Sequence, residues 1–286
     1  MSEPAASPLA VLGPGPLTSY WQFRRAVARA QLAAWLPPPR RLLVDISGPA
    51  GPGSAQAAAR GHTVIRVIPP QRAAGHAPQP PERHRHGAIV PVVADPASLA
   101  FLAAGCVDGV IAEDGALSRQ LMAEDLAAEV ARVLRPGGQL LASVDSLVLG
   151  MAILAEQHRW AQLTDLPQAE VVLIPWPDGT ITRCFGVSQF RDLLTEAGLQ
   201  VSWIRPRTVL SPSMVEHVLR KNPGAIARLV RAELAAGQDR PAVPRQAGRP
   251  GGQDEAASMF PAESFGISLL AAARKPAGRD GPPGPG

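Results

Sequence analysis

Cysteine is almost missing from this chain of 286 residues, which contains only Cys106 and Cys184. The two residues lie far apart, and neither belongs to a CxxC motif. Zinc sites and disulfide scaffolds both need several cysteines or histidines at short or regular spacing. We therefore expect no bound metal and no disulfide framework, and the composition suits a reducing, cytoplasmic setting.

Long apolar runs are also missing, although 46% of the residues are hydrophobic. No segment approaches the roughly 20 consecutive apolar residues that cross a bilayer, so no membrane partner is expected. Residues 1–16 lack the basic start and apolar core of a signal peptide. Their many proline, alanine and glycine residues predict a disordered tail.

Lysine is scarce, since Lys221 and Lys275 are the only two, which leaves 26 arginines among the 28 basic residues. A net charge of +4 and an isoelectric point near 9.8 would usually suggest a nucleic-acid partner. The arginines are scattered, however, except at 24–25, at 40–41 and in the segment PERHRHG. The charge therefore indicates the codon bias of a GC-rich genome, and we do not expect a nucleic-acid partner.

Short apolar runs alternate with helical patterns through the first half of the chain. The runs that predict strands are RLLVDIS, TVIRVIP, AIVPVVAD, CVDGVIAED and QLLASVDS. Helical patterns precede or separate them at 19–36, 55–61, 96–104 and 121–134, with Ser54 as the expected N-cap of the second helix. This alternation predicts a parallel, doubly wound α/β sheet.

The second half of the chain is less regular. We expect a helix at 147–163, a short extended segment at 171–174, a helix at 187–199 capped by Ser188, and a strand at 200–210. Helical patterns at 213–236 break near Asn222, and 263–276 returns as a strand. We therefore divide the chain into a tail (1–16), an α/β domain (17–210), a helical and flexible insertion (211–260), the final strand of that domain (261–276) and a second tail (277–286).

An ordered set of segments resembles the class I S-adenosylmethionine-dependent methyltransferases. The segments are VDISGPAG, GHTVIRVI, VVADPASLAF, CVDGVIAEDGAL, EVARVLRPGGQLLASV, FGVSQFRDLLTEAGLQVSWI and LLAAARKP. The resemblance covers about residues 17–206 and the last strand. It implies a mostly parallel, seven-stranded, Rossmann-like sheet with helices on both faces and the last strand antiparallel.

The same resemblance implies S-adenosylmethionine as the cofactor and places it over the turn after the first strand. Asp45 matches the acid that ends this strand. The glycine-x-glycine-x-glycine turn of the family maps onto Ser47, Pro49 and Gly51, with Gly48 offset from the pattern. Because proline has no backbone N–H and a fixed φ, this turn departs from the family at its centre.

The remaining cofactor positions match unevenly. The carboxylate that binds the ribose in the family maps onto Ile68, and the next acid along the chain is Glu82. Asp95 matches the position that contacts adenine, and Asp114 follows the fourth strand, where cofactor or substrate contacts often lie. Each aspartate also has a purely structural interpretation, because Asp readily accepts hydrogen bonds in turns and at helix N-termini.

The resemblance also indicates regions that contact substrate, and these contain Tyr20, Trp176 and Arg183. The two aromatic residues have an alternative role in packing. His84 and His86 could bind metal or phosphate, but without a partner set we interpret them as part of a mobile basic loop. No residue is identified as a catalytic base.

Three functions follow from these residues. The first is methyl transfer from S-adenosylmethionine to an oxygen, nitrogen or carbon atom of a small molecule; motifs of nucleic-acid base methyltransferases are missing from the sequence. The second is a catalytically inactive methyltransferase-like binding or regulatory protein, which Ile68 and the prolines of the turn favour. The third is another nucleotide-binding α/β protein, for example one that uses NAD, although NAD also needs an acid at Ile68.

Overall fold

The computed structural model describes residues 18–48, 53–73, 80–166, 169, 171–176, 179–238 and 266–277. The strands are β1 (Leu42–Asp45), β2 (Thr63–Ile68), β3 (Glu82–Arg83), β4 (Ala88–Val93), β5 (Val107–Ala112), β6 (Leu134–Ser146), β7 (Val172–Pro175), β8 (Ile181–Phe185), β9 (Gln200–Arg207) and β10 (Ser268–Arg274). The helices are α1 (Thr18–Trp35), α2 (Gly53–Ala59), α3 (Pro70–Ala73), α4 (Ala123–Val133), α5 (Leu147–Glu156), α6 (Trp160–Asp165), α7 (Val187–Glu196), α8 (Pro212–Lys221) and α9 (Ile226–Gln238), with a 3₁₀ turn at Pro223–Ala225.

All of the described strands belong to one sheet, whose main path has the strand order β3-β4-β2-β1-β5-β6-β10-β9. β4, β2, β1, β5 and β6 pair in parallel, and β10 is antiparallel to both β6 and β9. This confirms the predicted seven-stranded sheet with its antiparallel last strand. β7 forms the short extended segment expected at 171–174, whereas its hairpin partner β8 and the short β3 were not expected. β8 extends the carboxyl end of β6, and β3 covers only the start of β4.

The central strands are buried on both faces, as their unbroken apolar sequences predict. Val44 and Val110 pack with α4 and α7 on one face of the sheet. Their neighbours Leu43 and Ile111 pack with α1 and α2 on the other face. Since adjacent residues of a strand point to opposite faces, two adjacent apolar residues in β1 and in β5 hold helices on both sides.

A third apolar cluster lies over the carboxyl ends of the parallel strands. It joins the start of α1 to α5, α8 and the β7–β8 hairpin, and its largest members are Tyr20, Phe23 and Trp176. α8 and α9 both contact α1. The predicted helical patterns after residue 212 therefore form a cap on this edge, with the expected break at Asn222.

Several local predictions were wrong. Residues 96–104 form turns instead of a helix, and the Leu99 backbone is bonded to Glu129 and Arg132 of α4. The helix expected at 147–163 is two helices, separated at His158, which has φ 55°. Ser54 lies inside α2, where its hydroxyl binds Asp45.

The N-cap residue of α7 also differs from the prediction. Its N-cap is Gly186, whose N–H donates to Gln189 Oε1 at 2.8 Å, so Ser188 lies inside the helix. The predictions for 1–16, 239–257 and 278–286 concern residues outside those described. Among the described helices, none has both the length and the hydropathy needed to cross a bilayer.

Candidate functional site

The carboxyl ends of the parallel strands meet at one edge of the sheet, which is where open α/β sheets bind ligands. Asp45 ends β1, Asp114 follows β5 and Asp95 follows β4. Ile68 ends β2, next to β1. The fold therefore brings the sequence-predicted cofactor positions to one edge, although they are spread over 70 residues of the chain.

Asp45 is turned into the protein and closes the turn after β1. Only 1% of it is exposed. Its Oδ1 accepts the Ser47 N–H at 3.0 Å, and its Oδ2 accepts the Ser54 hydroxyl at 2.6 Å. Burial raises the pKa of Asp45, and these hydrogen bonds oppose that rise. The structure thus shows the turn-forming role of this carboxylate, and a direct contact with a ligand remains a prediction.

The remaining described part of the turn is bonded to the loop after β5. Ser47 Oγ accepts the Glu113 N–H at 2.9 Å, and its carbonyl oxygen accepts Nη2 of Arg119 at 3.2 Å. Arg119 Nη1 also donates to the Asp114 carbonyl oxygen. Gly48 has φ 93°, a conformation that glycine adopts without strain. Pro49 and Gly51 lie outside the described residues.

Glu82 does not take the place of the acid that is missing at Ile68. Glu82 was the nearest alternative in sequence, but its Oε1 pairs with Nη2 of Arg66 at 3.0 Å. Glu82 lies opposite Ile89, near the start of β4. Four residues of extended strand separate Ile89 from the carboxyl end of β4, a distance of about 13 Å. Glu82 therefore lies near the amino edge of the sheet, too far from the carboxyl edge to bind a ribose there.

Asp95 and Asp114 are the sequence-predicted acids that remain accessible at this edge. Asp95 is exposed, and its Oδ1 accepts the Ala97 N–H at 2.9 Å, as an Asx turn requires. Asp114 is half-buried and adopts a positive φ of 53° in the turn after β5. Both residues therefore have the structural role that was weighed at the sequence level, and their contacts with cofactor remain predictions.

A buried ion pair beneath the edge was missed in the sequence. Glu113 Oε1 accepts Nη2 of Arg207 at 2.6 Å, and the two side chains are only 4% and 2% exposed. Arg207 Nε also donates to Gln31 Oε1 at 2.6 Å. Burial raises the pKa of Glu113, and the charge of Arg207 opposes that rise. These bonds join β5, β9 and α1, and no local pattern could pair residues 94 positions apart.

Asp145 is the second acid that the sequence analysis missed. It lies at the carboxyl end of β6, where its N–H donates to Ser118 Oγ at 2.8 Å. Burial raises the pKa of its carboxyl group to about 6. The positive charges of Arg24 and Arg119 oppose this rise, and the negative charge of Asp114 adds to it. A signal was available, because VDS at 144–146 ends an apolar strand just as VDIS does at 44–47.

Tyr20 lies in the cap over this edge, as one of the residues predicted to contact substrate. It is fully buried, and burial raises the pKa of its phenol. Its hydroxyl makes no hydrogen bond within the described residues. Thr208 nevertheless lies close enough to oppose the rise in the pKa of this phenol. Its backbone N–H donates to Glu216 Oε1 at 2.8 Å.

The other two substrate candidates have internal partners. Trp176 is 6% exposed, and its Nε1 donates to Thr182 Oγ1 at 2.8 Å across the β7–β8 turn. Arg183 Nη1 donates to Glu124 Oε1 at 2.7 Å, and its guanidinium stacks on the Phe185 ring at 4.8 Å. Tyr20 and Trp176 therefore pack within the cap, and Arg183 joins β8 to α4. The contact of all three with substrate stays a prediction.

The described part of the chain contains no group of three or more His, Cys, Asp or Glu side chains that could hold a metal ion. The two cysteines are free thiols. Burial raises the pKa of the Cys184 thiol well above its usual value, which disfavours the thiolate.

No protein-family model matches the sequence, and no curated protein is significantly similar to it. Solved structures are similar in fold. An S-adenosylmethionine-dependent methyltransferase from Mesorhizobium loti is 16% identical, with a TM-score of 0.51 over 88% of this chain and 99% of its own. A proposed one from Listeria monocytogenes is 14% identical, with a TM-score of 0.56 over 89% and 99%.

A third structure is a methyltransferase of the same cofactor class from Methanosarcina mazei. It is 15% identical, with a TM-score of 0.50 over 86% of this chain and 97% of its own. At this level of identity the likeness concerns the backbone and its topology. The strand order and the antiparallel β10 agree with it, and the protein has the fold of the class I S-adenosylmethionine-dependent methyltransferases.

Proposed function

We propose that the protein is an S-adenosylmethionine-dependent methyltransferase that acts on a small molecule at the carboxyl edge of the sheet. The observation that carries this proposal is Asp145. It is a partly buried carboxyl group with a pKa of about 6, under the electrostatic attraction of Arg24 and Arg119, at the edge where this fold binds ligands. Perturbed carboxyl groups in such positions are common at active sites.

The residues at this edge fit two of the three parts of the cofactor. Arg24 has a buried Nε without a hydrogen-bond partner in the described chain, so its guanidinium suits the carboxylate of the methionine part. Asp114 suits the α-ammonium group, and Asp95 suits the adenine amine. The ribose has no acid at Ile68, and the binding of its hydroxyls is weaker for that reason.

Bound there, the cofactor supplies a sulfonium methyl group that is open to attack by a nucleophile. The chain's contribution is orientation, exclusion of water and removal of a proton. With a pKa near 6, Asp145 is largely ionised at pH 7 and can accept a proton from a substrate hydroxyl or amine. The apolar cap formed with Tyr20 and Trp176 excludes water from this edge.

The first experiment is a thermal-shift and calorimetric titration with S-adenosylmethionine and S-adenosylhomocysteine. A ligand at 100 times its Kd stabilises the folded state by about 2.7 kcal/mol. Asp95→Ala should weaken binding, whereas Glu82→Ala is the matched control, because Glu82 lies far from the edge. The absence of a shift at millimolar concentrations of both ligands would rule out the proposal.

A second function, that of a non-catalytic binding protein, is favoured by Arg119. Its guanidinium bonds to the Ser47 and Asp114 carbonyl oxygens and so bridges the two loops between which the methionine part would lie. If this bridge excludes the cofactor, Arg119→Ala should bind S-adenosylhomocysteine more tightly than the unchanged protein. Equal or weaker binding by the variant would exclude this function in favour of the first.

A further inference from the structure

The amino edge of the sheet, opposite the candidate cofactor site, contains a basic cavity that the proposed function does not use. The cavity has a volume of about 290 Å³ and lies where β1 and β2 begin. Its lining residues are Pro39, Arg40, Ala59, Arg60, Gly61 and His86.

Two of the basic clusters of the sequence meet in this cavity. Arg40 belongs to the pair at 40–41, and His86 belongs to PERHRHG. The Arg40 N–H donates to the Gly61 carbonyl oxygen at 3.1 Å, and the Ala88 N–H donates to that of His62 at 3.1 Å. The fold thus joins segments that are more than 40 residues apart, and the charge is less scattered in space than in sequence.

Glycine makes the close approach of these segments possible. A Cβ at Gly87 would lie 2.3 Å from the His62 carbonyl oxygen and 2.5 Å from that of Ala58. A Cβ at Gly61, which has φ 93°, would lie 3.4 Å from the His86 carbonyl oxygen. A side chain at Gly87 would therefore force the RHRH segment and α2 apart.

Within the described part of the chain, no ion pair neutralises the positive charge of the cavity. Ion pairs among the described residues include none that involves Arg40, Arg60 or His86. The nearby acids already have partners, since Asp108 pairs with Arg41 and Arg135, and Glu82 pairs with Arg66.

The end of α2 does not supply compensating negative charge. The Ala57 carbonyl oxygen accepts the Arg60 N–H at 3.0 Å, and that of Ala58 accepts the Gly61 N–H at 3.0 Å. Burial lowers the pKa of His62 behind the cavity, so this residue is neutral and the charge comes from the lining side chains.

Arg40 is held in a strained conformation at the cavity wall. Its φ is 64°, in the left-handed region that residues with a side chain rarely adopt. Such strain persists where the surrounding structure enforces it, and it concentrates at functional sites. A glycine would adopt this conformation without strain, but it would remove the guanidinium.

We propose that this cavity is a phosphate-binding site, in which Arg40, Arg60 and His86 bind the oxygen atoms of a phosphate ester. Arginine matches a phosphate through two parallel N–H···O bonds, and a cavity of this size holds one phosphate group and part of its ester. The phosphate could belong to a free nucleotide or to an RNA chain, and the chemistry of recognition is the same for both. The site lies on the opposite edge from the cofactor, so its occupation does not depend on methyl transfer.

The test compares the double variant Arg40→Asn/Arg60→Gln with the control Arg191→Gln/Arg228→Gln. Asn tolerates the left-handed conformation, and the control removes the same charge from exposed arginines on α7 and α9. Calorimetry with AMP and inorganic phosphate tests the first source. Fluorescence anisotropy with a labelled single-stranded RNA of about 10 nucleotides tests the second.

For either source, we expect the cavity variant to lose about tenfold in affinity for each arginine removed, and the control to change less than threefold. Saturable binding of AMP that the cavity variant loses supports the nucleotide source. Binding of RNA alone, with a salt dependence that falls by about 0.7 in slope per arginine removed, supports the RNA source. The proposal is wrong if none of the three ligands binds, or if the control weakens binding as much as the cavity variant does.

Discussion

The two edges of the sheet differ in the burial and pairing of their charged side chains. At the carboxyl edge, Glu113 and Arg207 pair with each other below 5% exposure, and Asp45 is bonded inside a turn. At the amino edge, Arg40 and Arg60 are exposed and have no acidic partner among the described residues. Paired, buried charge fixes a scaffold, whereas exposed, unpaired charge is available to a ligand. The resemblance thus pointed to an edge where Asp45 is already bonded within the fold, and it did not indicate the exposed arginines of the amino edge.

Removal of Glu113 should have the largest effect on the carboxyl edge. Glu113→Ala leaves the Arg207 guanidinium buried without a counter-charge, and we expect the free energy of unfolding to fall by about 3–5 kcal/mol. Urea denaturation measures this change. Glu124→Ala is the control, because the Glu124 carboxylate is 48% exposed and its pair with Arg183 is worth at most about 1 kcal/mol.

The double variant Glu113→Leu/Arg207→Met removes both charges of this pair. We expect it to recover most of the stability lost in Glu113→Ala, because no unpaired charge remains buried. A double variant as unstable as Glu113→Ala would mean that shape, and not charge, decides the stability of this edge.

Asp145 should destabilise the fold at neutral pH. Its pKa is about 6 in the folded protein and close to the ordinary value of 3.8 when unfolded, so the folded state binds more protons between these values. Stability therefore falls as pH rises from about 4 to about 6. Asp145→Asn should raise the free energy of unfolding at pH 7.5 by up to about 3 kcal/mol.

The same variant should show no such gain at pH 3.5, where the carboxyl group is protonated in the folded protein. Thermal unfolding at the two pH values gives both numbers. An equal effect at pH 7.5 and pH 3.5 would show that the variant acts through packing rather than through the charge of Asp145.

An acid restored at the end of β2 should increase the affinity of the carboxyl edge for the cofactor. In Ile68→Glu, charge-assisted hydrogen bonds to the ribose hydroxyls should contribute about 1.5–3 kcal/mol, which raises the affinity for S-adenosylhomocysteine by roughly tenfold or more. Titration calorimetry measures this gain. Ile68→Gln has a similar shape without the charge and should gain little, so equal gains in both variants would contradict the explanation.

The smallest effect concerns backbone strain, for which the two edges should give opposite signs. Arg40→Gly relieves a left-handed residue and should stabilise the fold by about 0.5–1 kcal/mol. Gly48→Ala introduces the same strain at the carboxyl edge and should cost about 1–2 kcal/mol. Guanidinium denaturation of both variants checks these values. If Arg40→Gly is destabilising, Arg40 is kept for its contacts within the fold and not for a ligand.

The fold could be predicted in detail because its signals are local and periodic. Apolar strands such as RLLVDIS and TVIRVIP, separated by helical patterns, require a two-faced parallel sheet whatever their neighbours are. Errors occurred where a distant side chain satisfied the backbone. At Leu99, Glu129 and Arg132 of α4 bind the peptide groups that a helix would have paired internally.

The candidate site could be predicted only in part. Asp45, Asp95 and Asp114 were predicted to lie together at the carboxyl edge, and they do so because each lies at or just after the end of a strand, a relation that the sequence contains. Their orientation was not predictable, because the distance from Ser54 Oγ to Asp45 Oδ2 depends on how α2 packs on β1. Asp145 was missed although it ends a strand in the same way.

The sequence by itself determined the order of the elements, the two buried faces of the sheet and the absence of an acid at Ile68. Only the tertiary structure decided which charges are paired. Glu113 meets Arg207, and Arg40 comes close to His86, through the packing of strands and helices distant in the chain. Local sequence sets the backbone conformation, whereas the energy of a charge depends on burial and on neighbours from elsewhere in the chain.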